Sequence, residues 1–400
     1  MERLKKVFKQ NSTVKYYFIS ILAMSLGYGL YKGILDNYLA EAVMMTEFDK
    51  GLSEFFRELP GLLLVGILAV CYTFSAEKLY KIGSAVMLVG MALHAVVPPE
   101  KMLITLAICV YSLGEHIQMG MKNSLGLEYS TPGNGGAALG YQSSANQIGT
   151  VVGYMIVFCV FLLFRGSQPY RLFFGIAAAI TALGMLSSFK MIGQSKTDST
   201  NRRFYFRKKF IKYYMLEVFY GSRKQVFLTF GPFVLIKLYG ASTYTMCLLF
   251  AVSAVACFFL SPVVGKIIDR LGYKIVMITD TLVLVIVCFF YGFAHMLFAP
   301  NVAFVLCCIN YVLDSIISLA SMASNVYVQD ISDSPEETRA TISTGISVNH
   351  MITIFIALFG GLVWEKLGVQ TLFIISAILG LCNSAYAATI NPEKDRAIGA

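Results

Sequence analysis

The 400-residue chain is 57% hydrophobic and 14% charged, with a formal net charge of +9. Soluble domains carry about a quarter charged residues, which excludes an ordinary soluble enzyme. Twelve helices of about 20 apolar residues would use about 240 residues and leave short loops. The nine cysteines (Cys71, Cys109, Cys159, Cys247, Cys257, Cys288, Cys307, Cys308 and Cys382) are scattered through apolar runs with neither a paired framework nor metal-ligand spacing. They read as small buried hydrophobes.

Apolar stretches predict spans at 16–38, 54–73, 82–98, 102–126, 137–164, 171–191, 210–236, 243–264, 275–297, 301–328, 339–363 and 369–390. The first follows Met1, Glu2, Arg3, Leu4, Lys5 and Lys6, as a secretory signal would. It lacks a small-residue cleavage site and carries Lys32 and Asp36, so it is expected to be retained. Within it Ser25, Tyr28, Gly29, Lys32 and Asp36 recur at spacings of three and four, and Lys32 and Asp36, one turn apart, neutralise each other. At the start of the second span, Arg57 and Glu54 are spaced for a boundary ion pair. Glu41, Glu47, Asp49 and Glu100 read as solvated loop charges.

The fourth span carries a polar stripe, Tyr111, Ser112, Glu115, Gln118 and Lys122, with His116 beside it. Such a stripe in an apolar helix fits a water-filled path, because lipid leaves polar groups without hydrogen bonds. Ser144 and Asn146 follow in the fifth span, and the only long polar stretch comes at 192–209, with Arg202, Arg203, Arg207, Lys208 and Lys209. That stretch divides six spans (1–191) from six (210–400). The seventh span places Arg223 and Lys224 about 20 Å from its start at 1.5 Å per residue. Adjacent cations at that depth require an anion, either a carboxylate such as Glu115, Asp36, Glu217 or Asp314, or the substrate. The tenth span repeats the stripe with Asn310, Tyr311, Asp314, Ser318, Ser321 and Asn325, and the eleventh carries Ser347, Asn349 and His350. Tyr111, Leu113 and Glu115 thus parallel Tyr311, Leu313 and Asp314, and Ser144 and Asn146 parallel Ser347 and Asn349, a weak internal repeat that fits duplicated transporter halves.

Placing both termini in the cytoplasm leaves only Lys50, Lys101, Arg165, Arg171, Lys237 and Lys366 among the outer basic residues. The rest collect in inner loops, as the positive-inside rule requires. The net charge therefore sets topology and touches anionic lipid, with no nucleic-acid partner needed.

Between the eighth and ninth spans the chain reads Gly265, Lys266, Ile267, Ile268, Asp269, Arg270, Leu271, Gly272, Tyr273, Lys274. This resembles the signature loop of the major facilitator superfamily: glycine, three residues, aspartate, arginine, one residue, glycine, one residue, base. Gly265 is expected to allow close backbone approach and Asp269 to pair with a base or cap a helix, while Arg270 and Lys274 stay cytoplasmic. The equivalent loop of the first half, Phe74 to Gly83, lacks the Asp-Arg pair. The resemblance implies an all-α membrane protein of twelve helices in two pseudo-symmetric bundles, a loop that latches the inward-closed state, and secondary transport by alternating access. Gly149 and Gly153, without the proline of the drug-antiporter pattern, do not place the chain in that branch.

The expected function is transport of a small organic solute, anionic or zwitterionic, with proton coupling and no cofactor or catalytic residue. Arg223, Lys224, Lys32, Tyr28, Tyr111, Gln118, Asn146, Tyr311 and Asn349 are candidates for substrate contact, and Asp36, Glu115, Asp314 and His350 for coupling or ion pairing. The alternative is multidrug/proton antiport, in which the same acids attract lipophilic cations. A monomer in the cell inner membrane is expected. No nucleotide-binding glycine loop or metal spacing points to an enzyme.

Overall fold

The computed structural model describes residues 6–9, 12–71, 74–164, 168–192 and 206–397. Helix α1 (Ser12–Asn37) continues through a π-helical turn, Tyr38–Ala42. It is followed by α2 (Glu47–Val70), α3 (Ala76–Val96), α4 (Lys101–Glu128), α5 (Gly135–Leu163) and α6 (Tyr170–Ser188). A 3-10 turn at Lys208–Phe210 leads into α7 (Ile211–Tyr239), α8 (Thr243–Leu271), α9 (Tyr273–Leu297) and α10 (Pro300–Ile317). A second 3-10 turn, Ser318–Ser321, separates α10 from α11 (Met322–Ile331). Helices α12 (Pro335–Leu367), α13 (Val369–Ala388) and α14 (Pro392–Ala397) complete the described chain.

Among the described residues, ten helical segments are long and apolar enough to cross a membrane. The other two expected spans coincide with α2 and α7, which have 24 and 29 residues. Both are rich in charge: α2 opens with Glu47, Asp49, Lys50, Glu54, Arg57 and Glu58, and α7 holds Lys212, Glu217, Arg223, Lys224 and Lys237. Each ionisable group at a helix centre costs about 2.5–3.5 kcal/mol on insertion scales. Large apolar side chains such as Leu172, Phe259, Leu282 and Ile309 are exposed, as lipid-facing residues are. The cysteine expectation holds for Cys247, Cys288 and Cys307, whereas Cys159 and Cys382 are exposed.

Local chemistry sets the helix ends. Ser75 caps α3 by accepting from Lys78 N at 3.2 Å, and Ser334 caps α12 by accepting from Glu337 N at 3.2 Å, with Pro335 in the first turn. Gly272, at φ +84°, is the single residue between α8 and α9. Only glycine takes that conformation without strain, which accounts for the second glycine of the signature loop. Gly265 is different. A Cβ there would meet nothing within 4 Å, so the expected close approach does not occur.

The chain forms two compact units. Unit 1 comprises Met1–Met44, Phe56–Asn201 and Ser242–Ala251, and unit 2 comprises Met45–Phe55, Arg202–Ala241 and Val252–Ala400. The expected basic linker at 192–209 lies outside the described residues apart from Ile192 and 206–209, and Arg202 and Arg203 fall in the undescribed part. In unit 1, α1 packs on α5 and α6, and α3 packs on α4 and α6. Unit 2 repeats this arrangement: α7 packs on α12 and α13, and α9 on α10 and α13. Small residues allow close helix approach in unit 1, where a Cβ on Gly153 would lie 2.7 Å from Leu26 O and 2.8 Å from Gly29 Cα. Gly149 and Gly153 thus pack α5 against α1.

Candidate functional site

Unit 1 holds a cavity of about 230 Å³ bordered by α1, α3, α4 and α5. Residues Tyr111, Glu115, Gln118 and Lys122, spaced four, three and four apart, share one face of α4 and line it. From α1 come Ser25 and Tyr28, and from α5 comes Asn146. Tyr111 Oη donates to Glu115 Oε1 at 3.3 Å, Lys122 Nζ donates to Asn146 Oδ1 at 3.0 Å, and Ser25 Oγ donates to the same oxygen at 3.2 Å. Gln118 Nε2 donates to Ser84 Oγ at 3.3 Å. The cavity therefore contains an anion and a cation, each hydrogen-bonded to a neutral group and neither in an ion pair among the described residues.

Five sequence candidates, Tyr28, Tyr111, Glu115, Gln118 and Asn146, meet in this cavity. Ser112 does not join them. It donates to the carbonyl of Arg57 and lies 3.0 Å from His116 Nδ1, so Ser112 and His116 form the adjacent row of α4. Lys32 and Asp36 pair at 2.8 Å, as their spacing indicated, with Lys32 Nζ 5.9 Å from the Phe250 ring centroid.

Unit 2 carries a second polar cluster. Arg223 is 3% exposed and pairs with Asp280 of α9. The compensating carboxylate was expected among Glu115, Asp36, Glu217 and Asp314, and the structure supplies Asp280 instead. This lone acid in the ninth span was visible in the sequence, but helical periodicity does not reveal partners on other helices. Lys224 has no carboxylate within ion-pair distance among the described residues. It lies 5.9 Å from the Tyr220 ring centroid, and Asp314 feels the charge of both Arg223 and Lys224. Glu217 Oε2 accepts from Asn349 Nδ2 at 3.1 Å and Glu217 Oε1 from Ser324 Oγ at 3.1 Å. The Tyr311 ring lies 3.6 Å from where a Cβ on Gly231 would be, so it packs on α7. His350 is half-buried in α12, one residue beyond Asn349. A pocket of about 20 Å³ in this unit is lined in part by Glu217, Tyr220, Asp280, Ser321, Ser324 and Asn383.

Charges near the helix ends also depart from expectation. Glu41 is no solvated loop charge: it accepts from Asn37 Nδ2 at 2.7 Å, Gln168 Nε2 at 2.6 Å and Tyr170 Oη at 2.7 Å. Lys50 is fully buried and pairs with Glu54 at 2.9 Å, while Arg57 pairs with Glu58. In the signature loop Asp269 and Arg270 are exposed, and Lys274 Nζ donates to Ile390 O at 2.9 Å. Outside the spans, Lys209 pairs with Glu337 at 2.8 Å and Asp333 at 2.6 Å. Burial alone would pull its pKa down, but hydrogen bonds and charge from these two acids outweigh it and hold the ammonium above the usual lysine range.

The family model described as Major Facilitator Superfamily matches residues 17–356. Comparison with curated proteins found no match. Solved structures with a similar fold include the nucleoside transporter NupG, at 15% identity and a TM-score of 0.74, covering 96% of this chain and 100% of that one. A POT family transporter in complex with 5-aminolevulinic acid matches at 12% identity and a TM-score of 0.73, covering 95% of this chain and 96% of the other. A D-xylose-proton symporter matches at 15% identity and a TM-score of 0.70, covering 95% and 98%.

Proposed function

The chain belongs to the Major Facilitator Superfamily, and from that premise we propose that it moves a small zwitterionic or anionic solute across the cell inner membrane by alternating access. The observation that carries the substrate class is the pair Glu115 and Lys122 in the unit 1 cavity. An ammonium group on the solute finds the Glu115 carboxylate, and a carboxylate on the solute finds the Lys122 ammonium. Tyr28, Tyr111, Gln118 and Asn146 supply neutral hydrogen-bonding partners around them. Arg223, engaged with Asp280, serves the architecture of unit 2, which leaves Lys224 as its available cation.

The wider reading has twelve spans, including α2 and α7, with both termini cytoplasmic and halves at 1–191 and 210–400 joined by the basic linker 192–209. The protein works as a monomer whose linker touches anionic lipid. Transport is coupled to a proton, with Glu115 or Asp314 as its carrier. In unit 1 the Lys32–Asp36 pair is placed to exchange partners during the cycle.

The test is uptake into proteoliposomes of radiolabelled zwitterions, monoanions and lipophilic cations. Zwitterion uptake is expected, with Lys122→Ala and Glu115→Gln each raising KM about 10- to 100-fold, the value of one charge-assisted hydrogen bond. Uptake of lipophilic cations alone, with Lys122→Ala unaffected, would overturn the reading in favour of drug antiport.

A further inference from the structure

We propose that the solute of the unit 1 cavity carries its ammonium and carboxylate groups apart, with two or three carbons between them, as in a β- or γ-amino acid. An α-amino acid, with one carbon between them, is too short. The proposal deepens the transport reading by naming the length of the solute, and it rests on that reading for the two charges. Glu115 and Lys122, on one face of α4, set the distance.

The two charged residues are seven positions apart in an uninterrupted helix. Seven residues make nearly two full turns, which returns both side chains to one face about 10 Å apart along the axis. Their hydrogen bonds keep the charged heads from closing on each other. Glu115 Oε1 accepts from Tyr111 Oη at 3.3 Å, from one turn nearer the helix start, and Lys122 Nζ donates to Asn146 Oδ1 of α5 at 3.0 Å. Lys122 feels the charge of Glu115, yet no ion pair joins the two. A solute that engages both has to bridge the gap.

Bond lengths narrow the solute. Charge-assisted hydrogen bonds of about 2.8 Å at either end take up between them about 5.6 Å of the gap. That leaves about 4–5 Å from the solute nitrogen to its carboxylate oxygen. An extended chain advances about 3.6 Å over the three bonds of a residue, or about 1.2 Å per bond. The three bonds from nitrogen to oxygen in an α-amino acid therefore reach at most about 3.6 Å and fall short. Four or five bonds, in a β- or γ-amino acid, reach about 4.8–6.0 Å and close the gap.

The wall between the two charges suits a hydrocarbon chain. Gln118 stands between Glu115 and Lys122 on the same stripe, but its Nε2 donates to Ser84 Oγ at 3.3 Å and to Met24 Sδ. Both amide hydrogens are thus turned toward α3 and α1, and a carboxylate on the carbon next to the ammonium group finds no donor in Gln118. Ile21, Met24, Met87 and Met119 supply apolar wall. Unbranched thioether side chains adapt to a flexible chain, and methylene groups gain by leaving water for such a surface. The cavity of about 230 Å³ does not limit a solute of this length, since one molecule of liquid water takes about 30 Å³.

Thermal melting of the full chain in detergent, titrated with glycine, 3-aminopropanoate, 4-aminobutanoate, 6-aminohexanoate, butylamine or butyrate, tests the length. The lowest half-saturating concentration is expected with 3-aminopropanoate or 4-aminobutanoate. Glycine, butylamine and butyrate each leave one protein charge without a partner and should need about tenfold more, and 6-aminohexanoate should also fall behind. In Lys122→Ala, 4-aminobutanoate should bind no better than butylamine, and in Glu115→Gln no better than butyrate. Lys122→Arg keeps the charge and should retain a preference for length. A purely structural role for these residues would weaken all six compounds alike, which overturns the proposal. Melting without added compound reports whether the variants fold, and the wild-type series decides the matter if they do not. Tightest binding of glycine, or equal binding of the four amino acids, overturns the length and leaves the zwitterion reading in place. Butylamine or butyrate binding as tightly as every amino acid, or no response to any of the six, overturns the zwitterion reading and the length together.

Discussion

Arg223 shows what one residue can demand of a fold. Its guanidinium is buried and tied to Asp280, and Nη1 lacks a partner among the described residues. Removing one member of a buried pair strands the other charge, at a cost of about 3–5 kcal/mol, whereas removing both relieves the penalty. Asp280→Ala is therefore expected to lower the melting temperature sharply, and the Arg223→Ala/Asp280→Ala double variant to recover much of the loss. Additive single effects would show that the two side chains do not depend on each other. The sequence announced the need for an anion but not its identity. Spacing along α4 correctly grouped Tyr111, Glu115, Gln118 and Lys122, because those contacts follow from helix geometry. It also drew in Ser112, whose position one residue along turns it toward the carbonyl of Arg57. The Arg223–Asp280 contact joins two helices 57 residues apart and is decided by packing.

At the scale of elements, the signature loop separates two glycines that look equivalent in sequence. Gly272 sits at φ +84° between α8 and α9, and Gly265 lies inside α8 with open space beside it. Gly272→Ala is expected to cost about 1–3 kcal/mol of stability. Gly265→Ala should be neutral or stabilise by up to about 1 kcal/mol, because alanine is the better helix former. Melting curves of the two variants check this, and equal losses would refute it. The start of α12 offers a pH test. Lys209 titrates above its unfolded value, so the stability it adds is fully present below about pH 10.4, the unfolded lysine pKa, and is lost as pH rises through the higher folded value. The melting difference between wild type and Lys209→Met should stay constant from pH 7 to about pH 10 and shrink above that. A difference that shrinks already between pH 7 and pH 9 would contradict this.

For the whole molecule, orientation is the claim most exposed to test. Single cysteines at Arg207 and Lys366, in a cysteine-free background that retains transport, should react differently with a membrane-impermeant maleimide. Cys at 366 should label in intact cells and Cys at 207 only after permeabilisation, and the reverse pattern would invert the topology. The all-helical membrane plan was legible because apolar runs are properties of the chain itself, and ten of the expected spans are long, apolar helices among the described residues. In the two compact units, the first turns of α2 belong to unit 2 and the start of α8 to unit 1. No local pattern marks such exchanges.

The polarity of α7 has a further consequence, for biogenesis. A helix with Arg223 and Lys224 near its middle is a poor candidate for passing from the translocon into lipid by itself. Its counter-charge Asp280 is made 57 residues later. At about 5–20 residues per second, Arg223 waits about 3–11 seconds for its partner. As a span, in the proposed topology, α7 must during that interval stay in the translocon or lean on helices already inserted. Nascent chains truncated before α9 should therefore leave α7 unintegrated in a glycosylation-site insertion assay, and chains extended through α9 should integrate it. Integration of α7 only in the longer chains would make the order of synthesis part of how this membrane protein is assembled.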